Sequence, residues 1–221
     1  TLEVEDCIFF ECRTSKVGGC IYADLNKNLL SRRNCFWYCV GDTQTHTIRC
    51  DCQKTDIDLN TLHSCAPSQV AAYGSFRILN SNLLISNGNC SSCQILDHGP
   101  SGYYDNCHIQ FARQNSINCT GKGVFFFNYC DSPSIQHINY LGNTQTRDAH
   151  FCLIGSTTLS ISTGVFSGNS KNNFISGATL FLLNCVFDIT LQVSNTNCKF
   201  GIESPSTIRF GGMNVCNGKT K

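Results

Sequence analysis

Two kinds of side chain in this 221-residue chain are numerous enough to do chemistry: carboxylates and cysteines. Asp51, Asp56 and Asp58 lie close together in sequence with Arg49 and Lys54 beside them. Such a set could supply an acid–base pair, or a calcium-assisted cleavage of an acidic polysaccharide. Asp97 with His98, and Asp105 with His108, flank the turn Gly99-Pro100-Ser101-Gly102. None of these groups recurs one repeat later on a shared face, and turns collect Asp, Gly and Pro for backbone reasons alone. They read as solvated turns, no catalytic residue is assigned, and the chain is not expected to be an enzyme. A polysaccharide-active enzyme is kept as a weaker alternative.

Seventeen cysteines invite a metal or a nucleophile. Cys50-Asp51-Cys52 and Cys90-Ser91-Ser92-Cys93 have ligand-like spacing, but a zinc site needs four ligands converging in a tetrahedron. Cys65 with His63 has the composition of a nucleophile and its base, yet adjacency in sequence is not geometry. All of these read as core cysteines. No metal and no cofactor is expected.

The cysteines are ordered by a longer period. An apolar, aromatic or cysteine residue, two spacers, then Cys or Asn recurs as Phe9-Phe10-Glu11-Cys12, Phe36-Trp37-Tyr38-Cys39, Leu62-His63-Ser64-Cys65, Cys90-Ser91-Ser92-Cys93, Tyr140-Leu141-Gly142-Asn143 and Phe166-Ser167-Gly168-Asn169. Weaker copies close at Cys119 and Asn195, so the closing residues step by 24 to 28 positions along nearly the whole chain. A fixed period of this size marks a solenoid, whose units bury their apolar faces only by stacking.

Strands must build the stack. Before each closing residue the apolar positions alternate, as in Leu2-Glu3-Val4, Ile57-Asp58-Leu59, Ile109-Gln110-Phe111, Leu159-Ser160-Ile161 and 189–193. A polar loop follows, then a second apolar stretch such as Cys20-Ile21-Tyr22, 70–73, Phe125-Phe126-Phe127 or Phe151-Cys152-Leu153. Two or three short strands in so short a repeat require each strand to pair with its equivalent in the next winding. The expected fold is all-β: one parallel β-helix over residues 1–221, about eight coils and on the order of 40 Å long at about 4.8 Å per coil. Right-handed winding is expected, as parallel crossovers are nearly always right-handed.

In such a coil Cys12, Cys39, Cys65, Cys93 and Cys119 form an interior column continued by Asn143, Asn169 and Asn195. Buried thiols pack as small hydrophobes, and Asn amides can hydrogen-bond the backbone at a turn. Either a mainly thiol column or several disulfides satisfies this pattern, and an odd cysteine count leaves at least one thiol without an intrachain partner. Most large aromatics sit at repeat positions. Among the tyrosines, which include Tyr22, Tyr73 and Tyr129, only Tyr103 and Tyr104, beside a glycine-rich turn, stand out as candidates to bind a ligand such as a sugar.

Phe166-Ser167-Gly168-Asn169 resembles the Phe-x-x-Asn element of the polymorphic membrane protein repeat. Gly18-Gly19-Cys20-Ile21 resembles its Gly-Gly-Ala-Ile element, with Ser176-Gly177-Ala178-Thr179 a looser copy. Similar cysteine-rich repeats occur in surface proteins of some protozoan parasites. The resemblance implies a right-handed β-helix acting as an adhesin or other surface-displayed binding rod, at the cell surface or secreted. Cys in place of Asn in the first five coils, loss of most Gly-Gly elements and absence of an outer-membrane barrel depart from the bacterial pattern.

Net charge is +1 with 14% charged residues, so no basic surface favours nucleic acid. Lys199, Lys219 and Lys221 read as scattered cations. No apolar run approaches the roughly 20 residues of a spanning helix. Thr1 and the strand that follows it suggest a processed chain or a segment of a longer protein. The expectation is a non-catalytic binding or spacer rod with a protein or glycan partner and lateral or end-to-end protein contacts. A structural component docked laterally in an intracellular assembly is the alternative that abundant thiols favour.

Overall fold

In a computed structural model the described residues are 1–15, 19–41, 45–65, 73–95, 98–147, 150–155, 158–170, 175–176, 179–188 and 195–196, without the side chains of 25, 26, 46, 176, 195 and 196. The strand expected at 189–193, the apolar stretch at 70–72, and Gly18, Asp97, Gly177, Ala178, Lys199, Lys219 and Lys221 lie outside them. All regular structure among the described residues is strand, and neighbouring strands pair in parallel. Among the described residues no helix is long and apolar enough to cross a membrane. The chain is a parallel β-solenoid.

Each winding has three main faces. The first stacks Val4, Ser31, Ile57, Ile85, Phe111, Ile135, Ile161 and Leu182 in one file. On the second lie Phe9, Phe36, Leu62, Cys90, Ser116, Tyr140, Phe166 and Phe187. The third carries Cys50, Ile78, Tyr104, Phe127 and Leu153. Short pairs such as Arg13–Thr14 with Val40–Gly41 bridge the second face to the third.

Alternation is what turns these strands into walls. In Asn82–Ser86, Leu83 and Ile85 are buried while Asn82 and Leu84 are exposed, because successive side chains point to opposite sides of a strand. Like lies over like at the strand spacing: the Phe9 and Phe36 rings stack at 4.8 Å, Phe125 and Phe151 at 5.3 Å, and Phe166 and Phe187 at 4.4 Å. Offset-stacked rings of this kind add to the burial of their area.

Corners are made by single left-handed residues. At the corner after the first face stand Asp6, Arg33, Leu59 and Asn87; after the second, Glu11, Tyr38, Ser64, Ser92, Asn118, Gly142 and Gly168; after the third, Asn80, Asn106, Tyr129 and Gly155, all with φ between 49° and 66°. For a non-glycine residue this conformation costs on the order of 1–2 kcal/mol. An inter-coil hydrogen bond offsets that cost: Tyr38 N–H donates to the His63 carbonyl at 3.1 Å, Asn118 N–H to Leu141 at 2.8 Å, and Asn106 N–H to Asn128 at 2.8 Å. Glycine in Tyr140-Leu141-Gly142-Asn143 and Phe166-Ser167-Gly168-Asn169 therefore occupies the left-handed position of the second corner.

Counted along that corner, Cys12, Cys39, Cys65, Cys93, Cys119, Asn143 and Asn169 bound about six turns, where about eight coils were expected. The period breaks after Asn169. Phe166 pairs with Phe187 only 21 residues on, and Asn195 pairs with Leu182 on the first face. Asn195 thus does not continue the second-corner column, since a shortened winding has moved it out of phase.

Candidate binding surface

Inside the second corner, the backbone N–H after each column residue donates to the column carbonyl of the preceding coil, as Val40 does to Cys12 at 2.8 Å and Thr144 to Cys119 at 2.8 Å. The asparagines add a second layer. Asn143 Oδ1 accepts from Cys119 N–H at 2.9 Å and its Nδ2 donates to the Ser116 carbonyl at 2.7 Å; Asn169 repeats both bonds with Asn143 N–H and the Tyr140 carbonyl. Cysteine reaches the equivalent carbonyl through its thiol, Cys39 to Phe9 at 3.3 Å and Cys65 to Phe36 at 3.6 Å. Cys39, Cys65, Cys93 and Cys119 are buried thiols and Cys12 a partly buried one. Cys35, by contrast, is disulfide-bonded.

A second polar column escaped the sequence reading. Asn34 and Asn60, 26 residues apart, form an amide ladder at the first corner, Asn34 N–H donating to Asn60 Oδ1 at 2.9 Å and Cys7 N–H to Asn34 Oδ1 at 2.9 Å. Their common phase in the repeat was the available signal.

Tyr103 and Tyr104 do not form an exposed pair. Alternation along Gly102–Asp105 sends Tyr104 into the core, 0% exposed, where it packs on Phe111 and Phe127. Tyr103 points outward but is only 8% exposed, because Tyr73, His98 and Phe126 surround its ring at 5.0, 5.2 and 6.3 Å. The Arg77 guanidinium lies 4.1 Å above Tyr73. Burial pushes the Tyr103 hydroxyl up to about 12. This side cluster closes on itself.

An open aromatic surface lies instead on the outside of the second face. Phe10, Trp37 and His63 occupy one outward position in three successive coils, and Tyr38 joins them from the adjoining corner. Trp37 lies 6.2 Å from Phe10, 6.0 Å from Tyr38 and 5.5 Å from His63, ring centre to ring centre. Phe10 is 48% and Tyr38 40% exposed, with Ile8 at 73% beside them. His63 Nδ1 is fixed against Ser91 Oγ at 2.9 Å. Rings with edges and faces open to water form a platform for apolar or planar ligands. The common phase of Phe10, Trp37 and His63 as spacers of the repeat was the available signal, with alternation turning them outward.

Several of the described carboxylates are taken up in small ion pairs and amide contacts. Arg32 bridges Glu5 and Asp56 at 3.7 and 3.8 Å, Asn87 holds Asp58 at 2.7 Å, and Asn80 holds Asp51 at 3.1 Å. The Arg33 guanidinium, 2.6 Å from Asp6, lowers that carboxyl. One coil-to-coil repetition does occur, since Asp24 pairs in register with Asp51. The expectation that no carboxylate recurs one coil on fails at this position, because Asp24 lies in an apolar stretch rather than a turn.

Cys50 and Cys52 both point inward, with Cys50 Sγ 3.1 Å from Thr55 Oγ1, while Cys90 Sγ lies 3.7 Å from Cys119 Sγ. Three sulfurs converge elsewhere: Cys12, Cys20 and Cys39 lie within 4.8 Å of one another. Comparison with protein-family models, curated proteins and solved structures finds no match to this chain.

Proposed function

We propose that this protein is a non-catalytic β-solenoid rod of adhesin-like character that binds a partner through the aromatic surface of Phe10, Trp37, Tyr38 and His63. The observation that carries this reading is the gathering of four rings from three coils on one outer face, two of them broadly exposed. A structure that spends its interior on packing has only its outside left for recognition, and aromatic residues dominate the energetics of recognition surfaces. The resemblance of the repeats to polymorphic membrane protein repeats supports the same reading. The ring faces suit the apolar face of a hexose or an apolar protein side chain.

Trp37 is the only tryptophan, so its fluorescence reports directly on the surface. Wild-type protein is screened on a glycan array and against immobilised host-surface protein fractions, with Phe10→Ser/Tyr38→Ser as the comparison. Retention that disappears in the double variant, together with a change in Trp37 emission on titration with the retained molecule, is the expected result. Retention unchanged in the double variant, or no retention at all, overturns the assignment to this surface.

A further inference from the structure

We propose that Cys12, Cys20 and Cys39 form a three-thiolate site for one thiophilic metal ion, Zn²⁺ or Cu⁺, which ties the first two coils together.

Among the described residues this three-sulfur geometry occurs at one place. Along the second-corner column each coil contributes one sulfur per level, as Cys65 does, and Cys90 adds a sulfur beside Cys93 and Cys119. At Cys12 and Cys39 a third sulfur enters from Cys20, which lies outside the repeat phase and immediately before the strand Ile21–Arg32. All three sulfurs are within 4.8 Å of one another. A metal–sulfur bond of about 2.3 Å requires ligand sulfurs about 3.8 Å apart in a tetrahedron and about 4.0 Å in a trigonal plane. Closing this trio around an ion therefore takes movements below about 1 Å, within what a thiol rotamer supplies.

The chemistry of the donors selects the ion. An all-sulfur set is soft and prefers Cu⁺ or Zn²⁺ over Mg²⁺ or Ca²⁺. Cys39 is buried while Cys12 and Cys20 are partly exposed, so an ion has a path from solvent, and a water can complete a tetrahedral site. Binding forms three metal–sulfur bonds and releases the three thiol protons to solvent, with no change of oxidation state. Because Cys12 follows Ile8–Phe10 and Cys39 follows Cys35–Trp37, the ion links two adjacent strands of the second face, and its binding energy adds to folding.

Anaerobically reduced, chelator-stripped protein is titrated with Zn²⁺ and with Cu⁺ against a chromophoric competitor. Wild type, Cys20→Ser, Cys12→Ser and the remote control Cys152→Ser are compared, and Co²⁺ is added to read sulfur-to-metal charge transfer. One tight equivalent of either ion is expected for wild type and Cys152→Ser, with a rise in melting temperature and a thiolate charge-transfer band. Cys20→Ser should keep the metal-free melting temperature within a few degrees and weaken binding by more than about tenfold, a loss already reached when only outer-shell partners of a metal are removed. Wild-type affinity retained in either Cys20→Ser or Cys12→Ser overturns the site. So does a Cys20 disulfide to either neighbour, detected by mass spectrometry in the protein as purified, before any reductant is added.

Discussion

The early coils and the late coils close the same corner with different donors. At Cys39 and Cys65 a thiol reaches the carbonyl of the coil before at 3.3 and 3.6 Å; at Asn143 and Asn169 an amide reaches the equivalent carbonyl at 2.7 and 2.8 Å. The amide also accepts the column N–H of its neighbour at 2.9 Å. A thiol is a weak donor and a poor acceptor. Through the column side chain the late coils are therefore joined by two short bonds per corner, and the early coils by one long thiol contact with apolar sulfur packing, beyond the backbone bonds common to both. The same early coils carry an amide ladder at their first corner, through Asn34 and Asn60. The polar side-chain tie thus sits at the first corner in the early coils and at the second corner in the late ones.

Removing the amide should hurt most. Asn143→Ala leaves the buried Cys119 N–H and Ser116 carbonyl without their partner, at about 1–3 kcal/mol for each unsatisfied group, so a loss of about 2–6 kcal/mol is expected in urea unfolding. Cys65→Ala, which removes one long thiol contact, should cost about 1–2 kcal/mol by lost burial and packing. Equal losses for the two variants would break the comparison.

An exchange sharpens it. Asn143→Cys retains a donor and loses the acceptor, and should cost about 1–3 kcal/mol, less than Asn143→Ala. Were Asn143→Cys to unfold as readily as the alanine variant, the thiol would be shown to contribute no donor at all.

His150 offers a pH-dependent test confined to the late coils. Its Nε2 is 2.7 Å from the Ser170 carbonyl, so it carries the proton there, and Nδ1 accepts from Tyr140 Oη at 2.9 Å. Burial lowers the His150 pKa below its ordinary 6.5. The unfolded chain then takes up a proton at higher pH than the folded one, so His150's contribution is complete above about pH 6.5 and declines as pH falls from there towards the lowered folded value. Urea midpoints should fall between pH 7 and pH 5, by less in His150→Gln; identical slopes in the two proteins would contradict this. Tyr140→Phe, losing one buried hydrogen bond, should cost about 1 kcal/mol, the smallest of these effects on the same urea scale.

Reading by period alone found the solenoid because stacking repeats its demands every winding. Phe9, Phe36 and Leu62, or Ile57, Ile85 and Phe111, recur at one phase because each buries the next. Tyr104 was misread because a glycine-rich turn beside it suggested exposure, whereas its alternation with Tyr103 decided its direction. The outer aromatic surface shares one phase, Phe10, Trp37 and His63, just after the inward column position, but phase alone does not say that alternation turns these rings outward where water reaches them.

What the amino-acid order determined by itself was the winding: a period near 26, alternation within it, and small Cys or Asn residues at its corner. The tertiary structure alone decided where that period fails, at the shortened winding after Asn169 that displaces Asn195. It also decided which side chains outside the period meet, as Cys20 does with Cys12 and Cys39. A repeat fixes only contacts between equivalent positions, because only those are made at every level; contacts between a corner and an irregular loop depend on where the chain returns in space.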